Sequence, residues 1–453
     1  MEPTKVPSDE PAEIEKDLSA SEPTEARVPR VQMPDRMRPE PRPANIDLLV
    51  GPDHRVRLVW AYVEQLNLGA WYARIRAVEG HPGRNPIAPE ILLALWLFAT
   101  IEAVGSARAL ARLCEEHNAY RWLCGGVSVN YHTLANFRVQ RGELLDELLT
   151  SSVASLLEVG AVKLTRVAQD GLRVRASAGS KSFRRRSRLE GFLEQAQQQV
   201  QQLKDEVESD PLASSRREQA ARERAALERQ KKIEAALLRL PELERAKERQ
   251  ATRGKKKVNE ARSSTTDAEA TIMKMPNGGY NPAYNAQFCT ETESQVIVGV
   301  DVEASGVDHG QMSAMLKQLQ HRYGRAPAQY LVDGGYVSAP EIDATAATST
   351  IYAPLPAPGK DKLAPSQPHA RDSGAVAAWR QRMQTQEAKT IYKERASTAE
   401  CVNALARERG LTRLRVRGLM KTKSMLLLFA LAHNCMRVAA LLPAMLRTSP
   451  STS

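Results

Sequence analysis

The stretch Val162-Lys-Leu-Thr-Arg-Val-Ala-Gln-Asp170-Gly171 is where the character of the sequence changes. Apolar and polar residues alternate along it with the period of two that a strand imposes, and Asp170-Gly171 supplies a turn signal at its end. Before it the apolar spacing is helical. Pro89-Glu-Ile-Leu-Leu-Ala-Leu-Trp-Leu-Phe-Ala99 opens with a proline where a first helical turn tolerates one and continues with strong helix formers. Helical spacing continues through Ser106–Glu116 and Ala135–Leu157, with Arg108, Arg112, Arg121, Arg138 and Arg141 between the apolar positions. After Gly171, strand character returns at Tyr284–Thr290, Gln295–Val302, Gln329–Val332 and Ser349–Pro354. Helices are expected over 310–322, from Ser397 through Glu400 to Arg409, and over Lys421–Leu446. Strands followed by packing helices make an α/β domain. The expected division is an all-α N-terminal domain over 45–160 and an α/β domain over 161–446.

Two insertions interrupt the second domain. Leu193, Ala196, Val200, Leu203 and Val207 form a helix seam that Ser209-Asp-Pro211 breaks, and Ile233, Leu237 and Leu240 resume it. Residues 184–260 therefore read as an inserted antiparallel helical hairpin. It runs out through Arg253-Gly-Lys-Lys-Lys257, a basic link in which Lys255, Lys256 and Lys257 are candidates for phosphate contact, with a solvated loop as the plainer reading. Residues 356–390, rich in Pro, Ala and Gln, read as a loop insertion. Residues 1–44 mix Glu, Pro, Ser and Arg without a hydrophobic period and read as a disordered arm, and 447–453 as a tail.

The chain carries 64 Lys and Arg against 53 Asp and Glu, a net charge of +11, which favours a polyanionic partner without establishing one. Five scattered cysteines with no C-x-x-C pair argue against a disulfide framework and a zinc module, and fit a reducing cytosol. The first residues are acidic and Pro-rich without an apolar run, so no secretory signal is expected. The apolar run Ser424–Leu446 is broken by His433, Asn434 and Arg437, short of the ~20 residues of a bilayer span, so a buried helix is expected and no membrane.

Three acids stand where α/β sheets place their chemistry. Asp170 and Asp333 follow strands and precede glycines, and Glu400 lies early in a helix that Ser397 and Thr398 can cap. Taken singly, each reads as a turn residue or a helix-start charge. Together with their flanks they resemble something definite. Asp170-Gly171, Asp333-Gly-Gly-Tyr336 and Tyr392-Lys-Glu-Arg395-Ala-Ser-Thr-Ala-Glu400, with Arg407 seven residues on, are similar to the three acidic motifs of the DDE transposases of bacterial insertion sequences. Ser264–Lys274, Gly278–Gln287 and Arg417-Gly-Leu resemble the family's flanking text, so the likeness spans about residues 45–440. It departs at Arg407, where a lysine is common.

The resemblance implies an RNase H-like mixed sheet flanked by helices, with Asp170, Asp333 and Glu400 as catalytic metal ligands. Clustered carboxylates repel, and hard oxygen donors without paired His or Cys suit Mg²⁺, with Mn²⁺ as a substitute. It further implies strand cleavage at element ends and strand transfer to double-stranded target DNA, in a homodimer or larger assembly, in the bacterial cytoplasm at the nucleoid. Arg395 and Arg407 are expected to hold phosphates beside the scissile bond, with Tyr392 nearby; for Arg395 an ion pair with Glu400 is the alternative. Neither Tyr392 nor Tyr336 is expected to act as a nucleophile. A catalytically inactive DNA-binding derivative of a transposase, or an RNase H-like nuclease, would share these features.

Overall fold

The computed structural model describes residues 45–75, 85–209, 215–253, 260–356, 367 and 369–442. The expected arm over 1–44, the tail over 447–453 and the basic link Lys255–Lys257 lie outside the described residues.

Among the described residues a 3-10 turn (Ile46–Leu49) and seven α-helices precede the first strand: α1 (Arg55–Glu64), α2 (Gly69–Tyr72), α3 (Pro89–Ile101), α4 (Ala107–Glu116), α5 (Asn118–Cys124), α6 (Tyr131–Gln140) and α7 (Gly142–Glu158). Their starts follow local chemistry. The Ser106 hydroxyl accepts from the Ala109 amide at 3.4 Å, the Asn130 side chain from the Thr133 amide at 2.9 Å, and Pro89 occupies the first turn of α3. Gly125, in the left-handed region at φ +54°, ends α5.

The sheet begins with β1 (Arg166–Arg175). Two short strands, β2 (Phe183–Arg184) and β3 (Ser263–Ser264), pair at the base of the insertion, which is the hairpin α8 (Arg186–Ser209) and α9 (Arg216–Arg253). Leu189, Ala196, Ile233, Ala236 and Leu240 form the hairpin's own apolar seam. The sheet resumes with β4 (Thr271–Lys274), β5 (Tyr280–Glu291) and β6 (Ile297–Glu303). Then come α10 (Gln311–Tyr323), β7 (Gln329–Leu331), α11 (Ala339–Thr345), β8 (Thr350–Tyr352), α12 (Gly374–Arg382), α13 (Gln386–Arg395), a π turn over Ala396–Glu400, α14 (Cys401–Glu408) and α15 (Leu419–Leu441).

β1 lies at the centre. It pairs antiparallel with β5 on one side and parallel with β7 on the other, and β7 pairs parallel with β8. The far edge of β5 is long enough to serve β4 with its first residues and β6 with its later ones. Helices cover both faces of this mixed α/β sheet. Val167 and Val174 belong to a core that runs through Phe288 and Met315 to Leu427 and Phe429 of α15, and on to Trp96 of α3. Ala168, Leu331, Tyr352, Trp379 and Ile391 form the core of the other face. α15 is long and apolar enough to cross a membrane by length and composition, but 67% of its most apolar window is buried in this core. Its polar interruptions have partners there: the Asn434 carbonyl oxygen accepts from the Ile297 amide at 2.8 Å, and the His433 Nε2 lies 2.8 Å from the Gln295 carbonyl.

Three expectations need correcting. Asp170-Gly171 is not a turn: β1 runs on to Arg175, and Gly171 pairs with Gln287 in mid-strand. The glycine is needed for close approach instead, because a Cβ there would sit 2.8 Å from the side chains of Asn285 and Gln287. The stretch 356–390 is not simply a loop. It holds α12 and the start of α13, capped by the Ser373 and Thr385 hydroxyls. Its Gln- and Ala-rich composition is helix-forming once a cap is present. Finally, Ser397 and Thr398 cap nothing. They lie in the π turn that joins α13 to α14, and Thr398 is fully buried, accepting from Gln295 Nε2 at 3.2 Å.

Candidate active site

Asp170 sits mid-way along the central strand, and Asp333 two residues beyond the end of β7, its parallel neighbour. Each carboxylate is oriented by backbone. Asp170 Oδ1 accepts from the Gly171 amide at 2.9 Å, and Asp333 Oδ1 from the Gly335 amide at 2.7 Å. A Cβ on Gly335 would stand 3.0 Å from that same Asp333 oxygen, so the second glycine of Asp333-Gly-Gly leaves the carboxylate its seat.

The third acid arrives by helix. Residues five apart diverge around an α-helix, yet the Arg395 Nη1 reaches Glu400 Oε1 at 2.9 Å. The intervening π turn widens the helix and swings the two onto one side.

Arg395 is the hub. Its Nη2 lies 3.3 Å from Asp170 Oδ2 and 3.8 Å from Asp333 Oδ2, while its Nη1 holds Glu400. The three sequence-predicted acids, remote in the chain, thus converge on one guanidinium whose side chain is 11% exposed. Asp170 Oδ2 also accepts from Asn403 Nδ2 at 3.1 Å. Burial pushes the Asp170 carboxyl up from its ordinary value, Arg395 pulls it down, and Asp333 and Asp308 push it up again. Burial opposes the charge of Arg395, but Asp170, Tyr392, Asp333 and Glu400 outweigh it and hold its pKa above the usual value.

Among the described residues no three Asp, Glu, His or Cys side chains are gathered closely enough to hold a metal ion. The guanidinium stands between them. The donor set nevertheless fits a hard divalent cation: the acidic side chains offer only oxygens, and the buried Asn403 Oδ1 has no hydrogen-bond partner.

Sequence reading missed two parts of the site. Asp308, in the turn between β6 and α10, accepts from Asn285 Nδ2 at 2.7 Å and Gln287 Nε2 at 3.0 Å, and is a fourth carboxylate beside Asp170. Behind it lies a buried polar network. Tyr336 donates to Gln287 Oε1 at 2.5 Å, Gln169 Nε2 donates to the same oxygen at 2.8 Å, and Tyr330 donates to Gln169 Oε1 at 2.6 Å. Asn285 and Gln287 stood in a quoted flank, but nothing local gave them a role.

The remaining candidates are scattered more widely. Tyr392 is half-buried beside Arg395 and the three acids, and burial pushes its phenol up. Arg407 is exposed on α14. Beyond Asn285 and Gln287, the flanking segments meet one another: Asp267 Oδ1 accepts from Tyr284 at 2.7 Å and from the Gly418 amide at 3.2 Å, and Glu269 accepts from the Leu419 amide at 2.8 Å. They therefore seat the start of α15 and hold the scaffold together.

A mixed sheet that brings three remote acids to one cation beside adjacent parallel strands defines an α/β protein with a carboxylate-centred site. Residues 44–140 match the family model described as Transposase domain (DUF772), and residues 366–439 match that described as Transposase DDE domain. The two matches support a DDE transposase of insertion sequences. The second spans Tyr392, Arg395, Glu400, Asn403 and Arg407; Asp170 and Asp333 fall between the two. No curated protein and no solved structure matches the chain.

Proposed function

We propose that the protein cuts DNA strands at the ends of an insertion sequence and joins them to target DNA, with Asp170, Asp333 and Glu400 as ligands for Mg²⁺ or Mn²⁺ in an RNase H-like domain. The convergence of these three acids on the Arg395 guanidinium carries the reading. The sheet, antiparallel on one side of β1 and parallel on the other, with helices on both faces, supports the RNase H-like part.

Asp170, Asp333 and Glu400 would hold such ions, which would supply an activated water or 3′-hydroxyl and charge stabilisation of the leaving oxygen in a phosphodiester displacement. The chain's own residues prepare that chemistry. The Gly171 and Gly335 amides fix the two aspartates, so the rearrangement that loading requires falls chiefly on Arg395. Arg395 offsets part of the negative charge of the three carboxylates beforehand and, once displaced from between them, offers its planar fork to a phosphate. Asn403 keeps Asp170 turned toward the site. Tyr392, Arg407 and Lys255–Lys257 are the further phosphate contacts of this reading. The helices over 45–160 form the DNA-binding domain, the protein works in the cytoplasm at the nucleoid, and joining two ends requires a homodimer or larger assembly.

A second reading has one observation in its favour: Arg395 fills the position a metal needs, as it would in a DNA-binding derivative that has lost turnover. Substitution separates the two. Asp170→Asn, Asp333→Asn and Glu400→Gln should each abolish Mg²⁺-dependent strand cleavage and leave duplex binding intact. A variant that cleaves like wild type removes that residue from the ligand set, and a wild type that binds duplex but never cleaves favours the inactive derivative.

A further inference from the structure

At the opposite end of α14 from Glu400, the turn that follows α3 and the segment that follows α14 enclose a cavity of about 200 Å³. Arg138, Arg409, Arg413 and Arg415 line it, and none of its lining residues is acidic. Arg138 is 7% exposed, lies over the Trp96 ring at 4.6 Å, and donates from Nη1 to the Gly105 carbonyl at 2.7 Å. Its Nε is buried with no partner, and so is Nη1 of Arg409. Among the described residues none of the four forms an ion pair with an acid. Glu102 and Glu408 favour the charge of Arg409 from a distance, while Arg55 opposes it, and Glu102 is itself paired with Arg55 at 3.1 Å.

A buried cation without a counter-ion is expensive, and neighbouring guanidinium groups add repulsion. Burial and the nearby Arg415 push Arg138 down to about 10, which marks a charge without compensation that is still protonated at neutral pH. The wall is also strained, because Ala103 is held at φ +58°. Arginine forks match the oxygens of a phosphate, and a cavity this size suits that group better than a whole nucleotide. Arg413 and Arg415 are exposed, so the mouth is open to a strand lying on the surface.

We propose that this cavity is a phosphate-binding site whose occupant is a phosphodiester of a DNA strand, held by Arg138, Arg409, Arg413 and Arg415. The DNA source rests on the transposase reading; the phosphate chemistry does not. The eight residues of α14 separate Glu400 from its C-cap Arg409, a rise of roughly 13 Å.

The test uses the full chain, with Arg409→Gln and the exposed Arg413→Gln as variants, in two measurements. Thermal unfolding is followed in inorganic phosphate against chloride at equal ionic strength, and duplex affinity is followed across roughly 50–200 mM salt. Phosphate should raise the wild-type melting temperature and not that of either variant, and each substitution should lower the slope of log affinity against log salt by about one. A changed slope without phosphate protection still supports the phosphodiester. Phosphate protection with an unchanged slope makes free phosphate the occupant and overturns the DNA assignment, and variants that match wild type in both measurements overturn the pocket. A wild type that binds no duplex sinks the transposase reading instead, and the phosphate arm still decides the cavity.

Discussion

Arg395 sets the electrostatics of the candidate site, because three carboxylates depend on it for counter-charge. Around it the backbone leaves little freedom, and Gly171 shows how little. Gly171→Ala would place a Cβ 2.8 Å from Asn285 and Gln287 and 2.9 Å from Asp308, so the polar network behind Asp170 must shift. We expect a loss of about 1–3 kcal/mol in denaturant unfolding, as for other overpacked sites, together with loss of cleavage. A second residue-scale prediction concerns pH. Burial lowers His433 from 6.5 to about 4. The folded state therefore refuses a proton that the unfolded chain accepts. The corresponding stability is present in full above pH 6.5 and is lost as pH falls toward 4, a contribution on the order of 3 kcal/mol. Comparing wild type with His433→Asn by denaturant unfolding across this window should isolate it: wild type should lose stability relative to the variant as pH falls. Parallel curves would show that His433 does not titrate in this way.

At the scale of elements, the α13–π–α14 helix is the device that delivers Arg395 and Glu400 to the same place. The motif spacing in Tyr392–Arg407 was legible in the sequence, but the π turn was not, because five helical residues with no glycine or proline carry no local signal for a wider turn. Likewise Asp170-Gly171 has the composition of a turn, and only the long partner strand β5, contributed more than a hundred residues later, keeps it extended. The hairpin of α8 and α9 was legible, since its seam repeats at helical spacing and its apolar cluster closes on itself. That closure yields a prediction. Leu240→Ala, at a fully buried seam position, should cost the hairpin about 2–5 kcal/mol and speed amide exchange in α8 and α9 while α15 stays protected. Leu427→Ala, in the core shared by α3, the sheet and α15, should speed exchange throughout. Equal effects from the two substitutions would mean that the hairpin is not a separate cooperative unit.

For the molecule as a whole, the strands and helices around the acids were readable from hydrophobic period, and their pairing order was not. Asp308 shows why: it reaches the site only because β5 pairs with β1 and β6 with the far edge of β5, a non-local arrangement that no window of sequence records. The same assembly places the acids of β1, of the turn after β7 and of the π turn around one cation and sets an arginine-lined cavity at the far end of α14. The central claim is that this carboxylate cluster is a divalent-cation site from which Arg395 must withdraw. Mn²⁺ binding to the full chain, followed by electron paramagnetic resonance, tests it directly. The account predicts saturable binding of about one to two ions per chain, weakened by Asp170→Asn and by Asp333→Asn and strengthened by Arg395→Gln. No saturable binding in wild type, or binding that ignores all three substitutions, would contradict it.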